Sequence, residues 1–133
     1  MTDRAAFQSG SALETPFDDN CFDHAVTIQM QMGIADKERF YREVFRILKP
    51  GCVFVFQDIV AGPTEGPIHT PTPWASVPKQ SFLCAPETLR KAIEGAGFET
   101  VIWRDSTPEM KAWQARQNTA PVPRARAPML EYN

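Results

Sequence analysis

DKERFYREVFRILKPGCVFVFQD, from Asp36 to Asp58, decides how the rest of the chain is read. Phe40, Tyr41, Val44, Phe45, Ile47 and Leu48 recur at the i, i+4, i+7 spacing of one helical face, and charged residues fill the other side. Asp36 suits the amino-terminal cap. Pro50 disfavours helix at Lys49 and Gly51 supplies a permissive turn, so the spacing predicts a helix that ends near Leu48 or Lys49. Cys52 to Phe56 is then an unbroken apolar run, which predicts a strand buried on both faces of a mostly parallel sheet. Its polar end, Gln57-Asp58, would lie at the carboxyl edge, where open α/β sheets bind ligands.

Upstream, Thr15-Pro16-Phe17-Asp18-Asp19-Asn20 is a turn cluster, Phe22 to Ile28 reads as a strand, and the Met-rich Gln29-Met30-Gln31-Met32-Gly33-Ile34 follows it. Strand, helix and strand make a βαβ unit, which is right-handed in nearly every known case. Downstream, Val60 to Pro78 is rich in proline and has no periodicity, and its place directly after a strand end suits a loop that covers a ligand. Pro86 to Glu94 reads as a helix closed by Gly95-Ala96-Gly97, Phe98 to Trp103 as a third strand, and Pro108 to Gln117 as a further helix. The organisation expected is one α/β domain over residues 1–118, with a small, mainly parallel sheet of three to four strands and flanking helices, and a proline-rich tail over 119–133.

The 133 residues suit a single domain with a real core. A net charge of -2 gives no electrostatic case for nucleic acid or for an anionic membrane surface, and no segment approaches the length of a membrane span. Charge is uneven, with a balance of -4 over residues 1–23 and +3 over residues 104–126. Cys21, Cys52 and Cys84 are odd in number and widely spaced, which predicts reduced thiols and a cytoplasmic setting. Cys21 and His24 with His69 and Cys84 make a poor zinc set, because alternation along a strand sends Cys21 and His24 to opposite faces. Cys84 paired with either histidine has no nucleophile motif around it.

Gly10-Ser11-Ala12-Leu13-Glu14-Thr15-Pro16-Phe17, Phe22-Asp23, Asp36-Lys37 through Leu48-Lys49-Pro50-Gly51, and Gly95-Ala96-Gly97-Phe98, taken in order, resemble class I S-adenosylmethionine (SAM) dependent methyltransferases. Within that group, Asp58-Ile59-Val60-Ala61-Gly62-Pro63, Pro73-Trp74-Ala75 and Ser81-Phe82-Leu83 are similar to enzymes that methylate glycine derivatives such as sarcosine and dimethylglycine. The resemblance covers residues 7–107 and implies a partial Rossmann-like methyltransferase fold, corresponding to the carboxyl-terminal half of the family domain. The family's cofactor site begins with a strand and a glycine-rich turn. Here the only Gly-x-Gly, Gly95 and Gly97, lies where a helix runs into a strand, the reverse of that topology. Ser11 stands where the family commonly has an acidic residue for the adenine amino group, and Gly33 where the related enzymes tend to have asparagine.

By this resemblance SAM is the cofactor, with Ser11, Ala12 and Gln29 on its side, although binding of an acceptor with no cofactor is the other expectation. Met32, Asp58, His69 and Trp74 are the candidates for contact with a small amine or amino-acid-like acceptor. Methyl transfer from a sulfonium needs little beyond in-line positioning in a dry pocket, so no catalytic residue and no metal ligand is assigned. Autonomous methyl transfer by a half-domain is not expected, and the competing reading is a non-catalytic small-molecule-binding or oligomeric interaction module. The strand around Val26 would present an open edge, so the expected partner is a second copy of the chain, another oligomer, or a separate amino-terminal half.

Overall fold

A computed structural model describes residues 4–64 and 66–119. The chain forms two compact units, one up to Thr100 and one from Val101 onward. The tail expected from residue 119 lies, apart from its first residue, outside the described residues.

The first unit is built on the stretch that opens the sequence reading. Helix α1 (Lys37–Ile47) is capped by Asp36, whose carboxylate accepts from the Arg39 N–H at 3.0 Å. Phe40, Tyr41 and Val44 are buried along its inner face. The helix passes without a loop into β2 (Leu48–Gln57), a difference from the turn expected at Pro50-Gly51. Strand β1 (Phe22–Ile28) runs parallel to β2 and shows the reason. Phe22 pairs with Leu48 but His24 with Val53, so one residue of β1 faces four of β2. That bulge accommodates Pro50, which has no N–H to give, and Gly51, whose φ of +77° few other residues adopt.

The helical side of the sheet is an aromatic cluster centred on Phe54. Its ring lies 6.1 Å from Tyr41, 5.6 Å from Phe56 and 5.3 Å from Phe98. Helix α2 (Pro86–Gly95) starts with proline in its first turn, and buries Leu89 and Ile93.

Two expectations about the sheet are corrected by the structure. Among the described residues the sheet has two strands, because Phe98 to Trp103 is irregular: Phe98 turns its ring into the aromatic cluster, and Val101 and Ile102 are exposed. Nor is the β2 run buried on both faces. Phe54 and Phe56 face the helices, whereas Val53 and Val55, on the other side, are each 54% exposed.

The acidic amino-terminal segment is largely neutralised within its own unit. Glu14 pairs with Arg39 at 2.9 Å, Asp19 with Arg46 at 2.6 Å and Asp23 with Lys49 at 2.7 Å. These exposed pairs hold the segment's course more than they add stability. Glu43 is the best-connected carboxylate. One oxygen accepts from the Thr15 N–H at 2.7 Å and from the Thr15 hydroxyl at 2.6 Å, and both oxygens accept from Arg46.

The Arg46 guanidinium, opposed by burial and helped by Thr15, holds the Glu43 carboxyl down from 4.5 to about 2. A carboxyl lowered by folding favours the folded state above its ordinary value, and that contribution is lost as pH falls from about 4.5 to about 2. Glu43→Gln is therefore expected to flatten the acid limb of a melting-temperature profile recorded from pH 7 to pH 2. At pH 7 the same change should cost about 1–3 kcal/mol, since part-buried hydrogen bonds to a charged carboxylate are lost.

The second unit, by itself, is helix α3 (Thr107–Thr119) and its lead-in. The Asp105 carboxylate accepts from the Thr107 N–H at 2.8 Å, and Arg104 pairs with Glu109 across the first turn. No residue of α3 is buried.

Candidate functional site

The carboxyl ends of two parallel strands leave amides and carbonyls that the next turns must satisfy, and this chain does so with a carboxylate. After Ile28, Gln29 adopts φ +51°, a left-handed conformation uncommon for glutamine, while its N–H donates to the Gln57 carbonyl at 2.8 Å. A single 3-10 turn, Gln31–Gly33, follows. From the end of β2, Asp58 Oδ1 accepts the Met30 N–H at 2.6 Å and the Gln31 N–H at 3.1 Å. Among the described residues Oδ2 accepts no hydrogen bond. Burial raises the Asp58 carboxyl above its ordinary value, against the pull of the two N–H bonds and the Lys37 charge. A half-buried, oriented carboxylate with one oxygen uncommitted results. Strained backbone and a raised carboxyl at a sheet's carboxyl edge are features that gather at functional sites.

Lys37 fixes the surroundings. As the first residue of α1 its charge opposes the helix dipole, and it turns back to donate to three carbonyls: Gln31 at 2.9 Å, Ile34 at 2.7 Å and Phe82 at 2.6 Å. Phe82 also donates its N–H to the Met32 carbonyl at 2.8 Å. The turn after β1 is thus tied to the segment before α2. The Gln31 side chain is completely buried, donates to the Ile59 carbonyl, and lies 4.0 Å from the Cys84 thiol. Cys84 in turn accepts at its carbonyl from the Ala61 N–H at 2.9 Å. Burial pushes the Cys84 thiol up and the Lys37 ammonium down, each opposed by its neighbour. Tyr41 and Thr27 carry buried hydroxyls with no hydrogen-bond partner among the described residues. Burial, with Asp58 and Cys84 nearby, raises the Tyr41 phenol and keeps it protonated.

Of the residues expected at a site, Gln29 and Asp58 are brought together across the ends of β1 and β2. Met32 sits beside them but is 1% exposed and serves the core, offering its backbone carbonyl rather than a pocket wall. Trp74 lies in the irregular segment, where its indole N–H donates to the Ser81 hydroxyl at 2.9 Å. His69 is exposed in the same segment. Ser11 and Ala12 belong to the amino-terminal loop, which Arg39 and Glu43 fasten to α1.

The Ser11 hydroxyl accepts from the Leu13 N–H at 3.2 Å within its own turn. The cleft beside it, about 530 Å³, is shallow and is lined by residues 8–11 and 14–16, with neither Gln29 nor Asp58 among them. Gly95 is the last residue of α2 and Gly97 lies two residues beyond it, against the Phe45 ring.

Gln31 and Lys37 were not candidates for a site in the sequence, Tyr41 was read only as a residue of the helix's apolar face, and Cys84 was weighed only as a zinc ligand or nucleophile. Lys37 had a legible signal, a cation at the positive end of a helix. Tyr41 had none, since its spacing is that of a core residue.

Residues 2–56 match the family model described as "Methyltransferase domain". The chain is 41% identical over 54 residues to Sterol methyltransferase-like 3 of Botryococcus braunii, covering 41% of this chain and 14% of that protein. It is 28% identical over 111 residues to Erythromycin 3''-O-methyltransferase of Saccharopolyspora erythraea, covering 76% of this chain and 36% of that one. Among solved structures, the [4+2]-cyclase SpnF superimposes with a TM-score of 0.66 at 26% identity, over 89% of this chain and 43% of SpnF. The chain therefore spans roughly a third or less of the curated relatives' length. It is related to methyltransferase domains, and its fold is a partial Rossmann-like α/β fold.

Proposed function

We propose that the chain provides the acceptor side of a methyltransferase-type site, and that it binds a small amine of the sarcosine or dimethylglycine class with the ammonium against Oδ2 of Asp58. One observation carries the reading. Two backbone amides hold Oδ1 of Asp58, and its second oxygen accepts no hydrogen bond among the described residues, in a half-buried place at the carboxyl edge of the parallel pair. Desolvation strengthens the attraction between such a carboxylate and a cation. The partly buried Lys37 is saturated by three carbonyls, so it holds the walls without filling the acceptor position.

The resemblance to enzymes acting on glycine derivatives names the acceptor class. The likeness to a [4+2]-cyclase supports keeping the reaction itself open, since a shared fold does not fix the chemistry.

Isothermal titration calorimetry with dimethylglycine and sarcosine tests the proposal. Asn at position 58 can still accept the Met30 and Gln31 N–H bonds, so Asp58→Asn is expected to keep the thermal midpoint while weakening amine binding about 10- to 100-fold, the worth of one charge-assisted hydrogen bond. Equal binding by Asp58→Asn, or no binding by the wild type, rejects the amine assignment. Micromolar binding of SAM or its demethylated product to the same protein would show that the chain holds a cofactor as well as an acceptor.

A further inference from the structure

We infer that the hydroxyls of Tyr41 and Thr27 read the carboxylate of the ligand, so that the site selects an N-methylated amino acid over a plain amine. This inference rests on the amine assignment of Asp58 and adds the groups that recognise the other end of the molecule. Tyr41 is completely buried, and neither its phenolic oxygen nor the Thr27 hydroxyl has a hydrogen-bond partner among the described residues, although both atoms are closed to solvent. A buried polar group left unpaired is costly, and folded proteins pair nearly all of them. Packing alone does not ask for either hydroxyl. Phenylalanine on α1 and valine on β1 would fill the same space without that cost.

The strand register places the pair beside the candidate site. Thr27 stands opposite Phe56, on the face of the sheet that α1 covers, and Asp58 lies two residues beyond Phe56 at the carboxyl end of the same strand. Thr27 is thus one diagonal step from Asp58. Tyr41 reaches the same layer from the inner face of α1, its ring 6.1 Å from that of Phe54. Its phenol is close enough to Asp58 and Cys84 to feel their charges.

The chemistry of the three groups matches a zwitterion. Dimethylglycine carries an ammonium and a carboxylate joined by one methylene, and Asp58 suits the first. The second needs donors, but the neighbouring cation, Lys37, is already committed to three carbonyls. Tyr41 and Thr27 each offer an O–H, and burial keeps the phenol protonated. In a dry place each bond to a charged oxygen is stronger than it is in water. Entry requires a local opening. The segment that provides it is the single 3-10 turn Gln31–Gly33, which follows the left-handed Gln29.

Isothermal titration calorimetry of the full 133-residue chain with dimethylglycine and with N,N-dimethylethylamine, which has a methyl group in place of the carboxylate, is the test, run beside thermal melts. The wild type is expected to bind dimethylglycine at least about 20-fold more tightly. Tyr41→Phe and Thr27→Val each keep the side-chain shape and remove one hydroxyl. Each should cut that preference about 5- to 10-fold, while the midpoint of the free protein stays level or rises because no bond is lost. Equal binding of the two ligands by the wild type, or an unchanged preference in either variant, overturns the inference and leaves the amine assignment standing. So does a midpoint lowered by Tyr41→Phe, since the hydroxyl would then already have a partner in the free protein, such as a bound water. Failure of the wild type to bind either ligand rejects the amine assignment itself, and the inference with it.

Discussion

Gly97→Ala is expected to destabilise the first unit by about 2–4 kcal/mol. Gly97 has φ +114°, outside the range that alanine tolerates, and it sets the direction in which the chain leaves α2. A Cβ there would stand 2.8 and 2.9 Å from Cζ and Cε2 of Phe45. The Phe45 ring is partly exposed and can swing outward, but in doing so it gives up its edge-to-face contact with Phe98, 5.1 Å between centroids. Backbone strain and the loss of an aromatic contact therefore add. Gly95 is the internal control: it lies in α2, and a Cβ there meets nothing within 4 Å. Gly95→Ala should leave stability unchanged or raise it by up to ~1 kcal/mol. Urea unfolding of the two variants side by side checks both signs. Equal midpoints would mean that Gly97 is not required for its conformation.

Lys37→Met is expected to cost about 2–3 kcal/mol, less than three charge-assisted bonds would suggest because water can reach part of the site. The effect should be local. Without the ammonium, the carbonyls of Gln31, Ile34 and Phe82 lose their shared donor, and the turn after β1 is no longer tied to the segment before α2. The Phe82 N–H, bonded to Met32, and the Ile34 N–H, bonded to Gln31, should then exchange with deuterium much faster, while amides within β2 keep their protection. Lys37→Arg should restore only part of the protection, because a planar guanidinium cannot aim at three carbonyls as an ammonium does. Unchanged exchange at Phe82 in Lys37→Met would remove the lysine from its assigned place.

How far the sequence could be read depended on whether a residue's role is local. Helix α1 was legible to within a residue or two, because an apolar face, an aspartate cap and a proline stop all lie in one stretch. The start of β2 was not, because the bulge that carries Pro50 and Gly51 into the strand depends on pairing with Phe22 and His24, far away in sequence. Phe98 to Trp103 has the composition of a strand without becoming one: its aromatic ring is drawn into the cluster around Phe54 and no ladder forms. In the candidate site, Asp58 and Gln29 were readable as polar residues that end apolar runs. A methionine beside a strand end reads the same in sequence whether it faces a ligand or the core, and Met32 is 1% exposed in the structure. The roles of Gln31, Lys37 and Cys84 exist only once three segments meet, and no spacing in the chain announces them.

The most direct measurement is a carbon-detected NMR titration of the Asp58 carboxyl, with and without dimethylglycine. In the free protein Asp58 is expected to titrate above 3.8, since burial outweighs its two N–H bonds and the nearby Lys37. A carboxyl raised by folding favours the folded state below its ordinary value, and that advantage is lost as pH rises through the raised value. Bound amine should pull the titration back down, because an ammonium at Oδ2 stabilises the ionised form. A carboxyl that titrates at or below 3.8, and does not respond to dimethylglycine, would contradict the assignment of Asp58 as the centre of the site.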